Sequence, residues 1–497
     1  MKQKLQKWIL ISICGLILWL SWILPAAANS DLVQPGMRHI LERLSFGVTS
    51  EQIRQVKVEG IEAYIQSQLN PELVPESSLL NEHLAQLDLD LINQEPSKLH
   101  REMLANIKQR KNPQLSLKQR ERIQRQNTRI NRKARDEATY AQLTRAIYSN
   151  RQLQEVMVDF WFNHFNVFGA KNAINFWLND YENALRTHAL GNFRDLLEVT
   201  ASHPAMLMYL DNQLNTAPNS PGAKGAYHGL NENYARELME LHTMGVDGGY
   251  TQDDIIALAR IFTGWSFNYR SKRDDKNGFV FNNNRHDQGE KVFLGHKITA
   301  NGQQEGEKAL DILATHPATA HFISYKLAQY FVADRPPESL VDNLAQKFLD
   351  SNGNIKVVLD TLIHSREFND PSYYKQKFKT PYQYIVSLAR MSEVQQPDFK
   401  RLKGMLSQLS MPMYMCVPPT GYKNIQDAWL NPQSMLQRIG FATAIANGSL
   451  NKDYSPKYEQ LIANFGQLSA HTQQVITQSP PRLRNALILG SPEAMYR

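Results

Sequence analysis

Asn231-Glu232-Asn233-Tyr234-Ala235-Arg236-Glu237-Leu238-Met239-Glu240-Leu241-His242 packs eight polar or ionisable residues into twelve, yet it keeps a helical apolar stripe. Tyr234, Leu238, Leu241 and Gly245 recur at spacings of three and four, which predicts a helix over 231–245 with that face buried. Asn233, Glu237 and Glu240 follow the same spacing on an adjoining face. A carboxylate beside a buried stripe needs a cation, hydrogen-bond donors or a metal ion. The plainer reading is an Arg236–Glu240 pair at i,i+4 on a solvated helix.

Helical periodicity continues on both sides of this stretch. It predicts helices over 37–44, 50–69, 140–168, 175–190, 192–200, 252–263, 306–315, 318–332, 338–350, 355–364 and 381–394. Ser50 and Thr251 are N-cap residues, with Asp254 completing a capping box. Gly60 and Gly245 mark helix ends, and His203-Pro204 and His316-Pro317 put proline where helices start. Ser365 and Ser491 share a second short capping pattern. One stretch differs: 279–281 and 291–294 read as strands of a short hairpin with 282–288 at its tip. Residues 213–230 are rich in Gly, Pro, Asn and Ala, a long loop of the kind that forms lids or binding loops. No Pro/Gly/Ser-rich linker divides the chain. The expected fold is mostly α, a single large multi-helix domain over 36–497 with a minor β-hairpin.

The stretch from NENYARELMELHTMGVDGGYTQDD to ALARIFTGWSF resembles the bacterial secreted family known as domain of unknown function DUF 1800. The likeness continues through HILERLSFGVT (39–49), FWFNHFNVF (160–168), HALGNFRDLLEVTASHPAMLMYLDN (188–212) and RHDQGEKVFLG (285–295). It goes on through HPATAHFISYKLAQYFV (316–332), KTPYQYIVSLAR (379–390), AWLNPQSMLQRIGFA and the closing SPEAMYR. The resemblance implies no particular substrate; it does imply an exported partner that looks like a sulfatase. The chain departs from the family pattern at Ser410-Met411-Pro412 and shortens the loop after Thr420 to Gly421-Tyr422, which leaves 418–422 without an expected role.

Lys2, Lys4 and Lys7, an uncharged run over 8–24, Pro25 and Ala26-Ala27-Ala28 have the layout of a secretory signal peptide over 1–28, cleaved near Ala28. The alternative for the same run is an uncleaved membrane anchor. The expected location is periplasmic or extracellular. Cys14 leaves with the leader, so Cys416 stands alone; this excludes an intrachain disulfide and a thiolate metal site.

The chain carries 55 Lys or Arg against 48 Asp or Glu. Thirteen of those bases, against two glutamates, lie in 98–135. Its part KQRERIQRQNTRINRKAR (118–135) has almost no apolar stripe and no aromatics, so nucleic acid, whose bases stack on aromatics, is not the expected partner. It reads as an exposed helical excursion or arm that is either solvated or in contact with an acidic envelope polymer.

Four polar clusters are candidates for chemistry: Asn163-His164 among aromatics, Asp211-Asn212 after an apolar run, Glu232 through Glu240, and His286-Asp287. His164, Glu237, His286 and Asp287 are ligand types for a divalent metal. Glu232, Glu237 and Asp211 are the expected catalytic carboxyls, with Arg236 orienting an anionic group. There is no H-E-x-x-H, no phosphate-cradling glycine motif and no G-x-S-x-G elbow, so neither a zincin nor nucleotide use is expected.

Two functional readings follow. One is an exported metal-assisted or carboxylate-based hydrolase of an envelope or extracellular polymer. The other is a non-catalytic cell-envelope binding or assembly protein whose polar clusters are structural networks. The site reading requires the 231 helix, the His164 helix and the His286 segment to meet at one concave surface beside the 213–230 loop. The structural reading requires Arg236 on Glu232 or Glu240, His164 on a backbone carbonyl, and His286 in solvent.

Overall fold

Side-chain caps set the helix starts. The computed structural model describes residues 34–268, 278–448, 450 and 455–497. The leader, the anchor alternative and Cys14 lie outside the described residues. Thr251 closes the expected capping box with Asp254; at the earlier helix the cap is Thr49, boxed with Gln52, and the expected cap Ser50 is the first helical residue. His203 and His316 use one device: each Nδ1 accepts the backbone N–H two residues on, at 3.1 Å, just after the intervening proline. Ser365 and Ser491 cap likewise, accepting from Phe368 N and Ala494 N. Each cap satisfies an otherwise orphaned helix donor.

The fold is mostly α, as expected, with two small antiparallel two-stranded sheets. Helices pack pairwise: Pro317–Phe331 on Glu338–Asp350, Pro432–Ala446 on Pro481–Leu489, Gln152–His164 on Leu178–His188, and Glu232–Glu237 on Gln252–Ile261. One contiguous hydrophobic cluster runs from Ile40 to Met495. Among the described residues no helix is long and apolar enough to cross a membrane.

Besides the break of 50–69 at Gly60 into Ser50–Glu59 and Ile61–Leu69, three local expectations need correction. The stretch 140–168 is two helices, Leu117–Tyr148 and Gln152–His164. Glu76 holds Ser149 Oγ (3.0 Å) and Asn150 N (3.2 Å) at the break. The expected 279–281/291–294 hairpin does not form. Phe279–Phe281 pairs instead with Trp265–Phe267, and Lys291–Phe293 with His296–Ile298. Leu294 and Gly295, at φ 47° and 76°, make the two-residue turn that selects the downstream partner.

The third correction concerns the 231 helix. Asn231 caps it, accepting from Asn233 N and Tyr234 N, and Glu232–Glu237 is α-helical. From Leu238 to Thr243 it widens to a π-helical turn, with Thr243 Oγ1 on Leu238 O at 2.7 Å. The widening rotates the buried face. Tyr234 and Leu238 are buried as expected, but Met239, His242 and Thr243 take the core positions and Leu241 is only partly covered. Such π turns occur disproportionately at functional sites.

The basic segment forms a helical hairpin, Pro96–Arg110 against the first half of Leu117–Tyr148. Ser116 starts the second helix with a capping box.

Candidate functional site

The Gln152–His164 helix is apolar on nearly every face, so its polar residues are conspicuous. Asp159 and Asn163 lie four apart, on one side. Together they line two adjoining cavities, an outer cleft of about 310 Å³ and an inner chamber of about 50 Å³. His164, Lys326, Tyr330 and Thr420 also line the outer cleft; Gln142, Glu182, Tyr382 and Tyr414 line the inner one.

Asp159 is surrounded by protein yet opens onto both cavities. The Tyr330 hydroxyl donates to its Oδ2 at 3.1 Å. Desolvation is the main influence and pushes its carboxyl from the usual 3.8 up to about 7; the Tyr330 bond and Arg497 only partly oppose it. Arg497, in the closing SPEAMYR segment, lies 4.6 Å over the Tyr330 ring and donates to Tyr330 O at 2.8 Å. The chain end thus buttresses the residue that holds Asp159.

Asn163 clamps the 418–422 loop. Its amide donates to Tyr422 O at 2.8 Å and accepts from Tyr422 N at 2.7 Å. Gly421 sits at φ 68°, and a Cβ there would fall 2.2 Å from Asn163 O. Only glycine lets the loop approach so closely. The loop left without a role by its departure from the family pattern is therefore a wall of the cleft.

His164 Nε2 lies 3.0 Å from His242 O. A carbonyl only accepts, so Nε2 carries the proton and Nδ1 is an acceptor. This bond satisfies a carbonyl at the end of the π turn, where helices leave such groups unpaired. Desolvation lowers the His164 pKa to about 3, keeping the imidazole neutral. Lys326 across the cleft is also lowered by desolvation.

In the inner chamber Glu182 is bonded to Arg186 at 2.7 Å and accepts the Tyr414 hydroxyl. Arg186 also holds Glu155 at 2.8 Å. Asp159 has no cation within such reach among the described residues. Two carboxyls in one chamber thus have opposite surroundings, the arrangement that separates acid from base roles.

The residues expected from the sequence are only partly brought together. The 231 helix meets the His164 helix, through the His164–His242 bond and through Leu241, which lines the outer cleft. Arg236 bridges Glu232 (3.8 Å) and Glu240 (3.5 Å), all partly exposed. Glu237 is half-buried, and desolvation followed by Glu240 raises its pKa. Glu237 also acts on Tyr209, whose hydroxyl donates to Val417 O at 2.6 Å beside the cleft loop. Asp211 is occupied by Lys171 at 2.8 Å.

His286 is not in solvent, nor is it at the cleft. It is buried, with Nδ1 2.9 Å from Thr263 O and Nε2 2.9 Å from Glu305. Glu305 also binds Lys291 at 2.6 Å, and Arg260 grips Asp287 at 2.8 and 3.0 Å. The metal set His164, Glu237, His286 and Asp287 therefore does not share one ligand sphere, because each has its own partners. Among the described residues the one such group within ligand range is His321, Glu338 and Asp342, all exposed. The 213–230 loop packs on the 284–285 turn: Ala217 N and Gly222 N donate to Arg285 O and Asn284 O, each at 2.8 Å. None of its residues lines the cleft. Cys416 is buried and its thiol is pushed up to about 11 by desolvation, so it serves as packing.

Sequence reasoning missed Asp159, Glu182 and Tyr330. The signal for Asp159 was present: a lone aspartate in VMVDFWF, one turn before Asn163.

The family described as "Protein of unknown function (DUF1800)" matches residues 39–496. The chain belongs to this family. No curated protein and no solved structure matches it. In this DUF1800 chain the match spans every wall of the cleft, from Gln142 through Asp159 and Tyr330 to Tyr422.

Proposed function

We propose that the Asp159 cleft is the active site of an exported hydrolase that works by carboxyl acid–base chemistry on an envelope or extracellular polymer. The observation that carries this reading is a carboxyl held near pH 7 and opening onto a cleft with convergent polar groups. Asp159 would protonate the leaving oxygen of the substrate. The inner chamber has room for one to a few waters and no larger ligand. Glu182 is the carboxyl placed to take a proton from such a water. Asn163 and Lys326 would contact substrate in the outer cleft. The ligand types the sequence offers for a metal-assisted version lack a common centre, so the carboxyl version is preferred.

The non-catalytic alternative draws on one observation, the closed His286–Glu305–Lys291 network, which is structural in kind. The test screens purified protein for new reducing ends and hydrolysed amide or ester bonds on neutral and acidic envelope polymers between pH 4 and 9. An Asp159→Asn variant should lose about 10²–10⁴-fold in kcat with KM little changed. Equal activity in the variant, or no turnover by folded wild type on any polymer, overturns the reading.

A further inference from the structure

The long basic segment has a concave face of its own. A cleft of about 460 Å³ lies between its two helices and the 170–175 loop. On the Leu117–Tyr148 helix, Gln124, Asn127, Asn131 and Arg135 form one stripe at spacings of three and four; Arg110 projects from the facing helix. From 124 to 135 the stripe runs about 16 Å at the usual helical rise. No Asp, Glu or aromatic residue is in the lining.

Some bases elsewhere on the segment are locally matched. Lys133 binds Asp88 (3.0 Å) and Asp90 (3.2 Å), Arg125 binds Glu121 (3.1 Å), and Arg120 donates to the carbonyls of Asn112 and Pro113. Two of the three cleft arginines, Arg110 and Arg135, have no acidic partner in an ion pair among the described residues. Arg110 reaches only the neutral Gln124. Arg132 has a 3.8 Å contact with Asp136, which is itself held by Lys403 at 2.8 Å. The guanidinium of half-buried Arg135 has no hydrogen-bond or ion-pair partner among the described residues, although its backbone carbonyl accepts from Thr139 Oγ1. Desolvation, against the pull of Asp136, keeps its pKa below the usual value. At the cleft wall the buried amide of Asn175 leaves Oδ1 without a partner. Guanidinium groups lacking counter-charges, set among amides, match an anion that also carries hydroxyls. A base has no ring here to stack on, which disfavours single-stranded nucleic acid.

We infer that this cleft binds an acidic glycan, with Arg110, Arg132 and Arg135 on its carboxylate or sulfate groups and the Asn and Gln side chains on its hydroxyls. The site is separate from the Asp159 cleft. Tyr414 stands between them, lining the inner chamber while its carbonyl accepts from Gly169 N at 2.8 Å, next to the Ala170 wall.

The experiment is titration calorimetry of the full chain at low salt with polygalacturonate, dextran sulfate, uncharged dextran and a thymidine 20-mer. Binding to one or both charged glycans, and not to dextran, is expected; the two arms tell carboxylate from sulfate recognition. Arg110→Gln with Arg135→Gln should weaken it at least tenfold, and Lys118→Gln with Arg122→Gln, both exposed outside the cleft, less than twofold. Should the first pair fail to fold, Arg110→Gln with Arg132→Gln replaces it and is expected to give the same loss. No binding to either charged glycan overturns the inference. So does equal loss in the Lys118/Arg122 pair, or a 20-mer that binds as tightly as the glycans. Hydrolysis is not the readout, so this result is independent of the fate of the Asp159 reading.

Discussion

Asp159→Asn should stabilise the protein, and only above mildly acidic pH. Folding moves this carboxyl from the usual 3.8 to about 7, so the folded state holds a proton that the unfolded state releases. Unlike an ion-paired aspartate, it therefore removes stability as pH rises. The loss begins near pH 4, where the unfolded chain ionises, and is complete above about pH 7. Its full size is about 4 kcal/mol, and relaxation or water entry into the cleft would reduce it. Asparagine cannot ionise, and its carbonyl can still accept from Tyr330. At about 2.1 cal/mol/K per residue of unfolding entropy, 1 kcal/mol is about 1 °C in a chain of this length. The variant and wild type should melt together at pH 4, with the variant about 2–4 °C higher at pH 8. Scanning calorimetry at five pH values between 4 and 8 measures the gap. A gap independent of pH, or a variant that melts lower at pH 8, would refute the claim that Asp159 is an uncompensated buried acid.

Three other outcomes are expected. Gly421→Ala, which must leave the left-handed region or collide with Asn163 O, should cost about 2 kcal/mol and raise KM or ligand Kd at the outer cleft; an unchanged denaturation midpoint contradicts the loop geometry. Glu305→Ala strands Lys291 in the core and should cost about 3–5 kcal/mol in urea unfolding, whereas loss below about 1 kcal/mol would mean the network is dispensable. A chelator should shift the melting temperature by less than about 1 °C, given the separate partners of His164, Glu237, His286 and Asp287; a drop of several degrees (about 1 kcal/mol per degree at this length) restored by zinc would restore the metal reading.

The sequence was most legible where structure is local. Caps at Thr251, His203 and His316 need only three or four neighbouring residues and act as read, and the cap expected at Ser50 falls one residue earlier, on Thr49. It was least legible where partners are far apart. Phe279–Phe281 looked like half of a hairpin with 291–294, but the Leu294-Gly295 turn, two residues long, captures the second strand first. The polar residues of the 231 helix are not the atoms that it brings to the cleft. Glu232 and Glu240 stay with Arg236 at the surface, while the helix's contribution to the cleft is Leu241 and a backbone carbonyl. No residue type encodes a carbonyl's availability. Tyr330 and Arg497 approach Asp159 from 171 residues away and from the closing segment, beyond any periodicity.

Two buried ionic sites in this molecule differ in a way that separates scaffold from function. At His286 every charge is answered: Glu305 receives His286, Lys291 and the N–H groups of Asn301 and Gly302, and Asp287 receives Arg260. Such closure fixes a core and leaves nothing to offer a ligand. Around Asp159 three local rules are broken within one cleft. A carboxyl is buried with a tyrosine and no cation at hand, a helix gives up its regular ladder for a π turn, and a loop is held at a φ that only glycine accepts comfortably. Each departure costs stability by itself. That these costs gather at one concave surface, and not where buried charge is most abundant, is what supports the proposed reading of the Asp159 cleft.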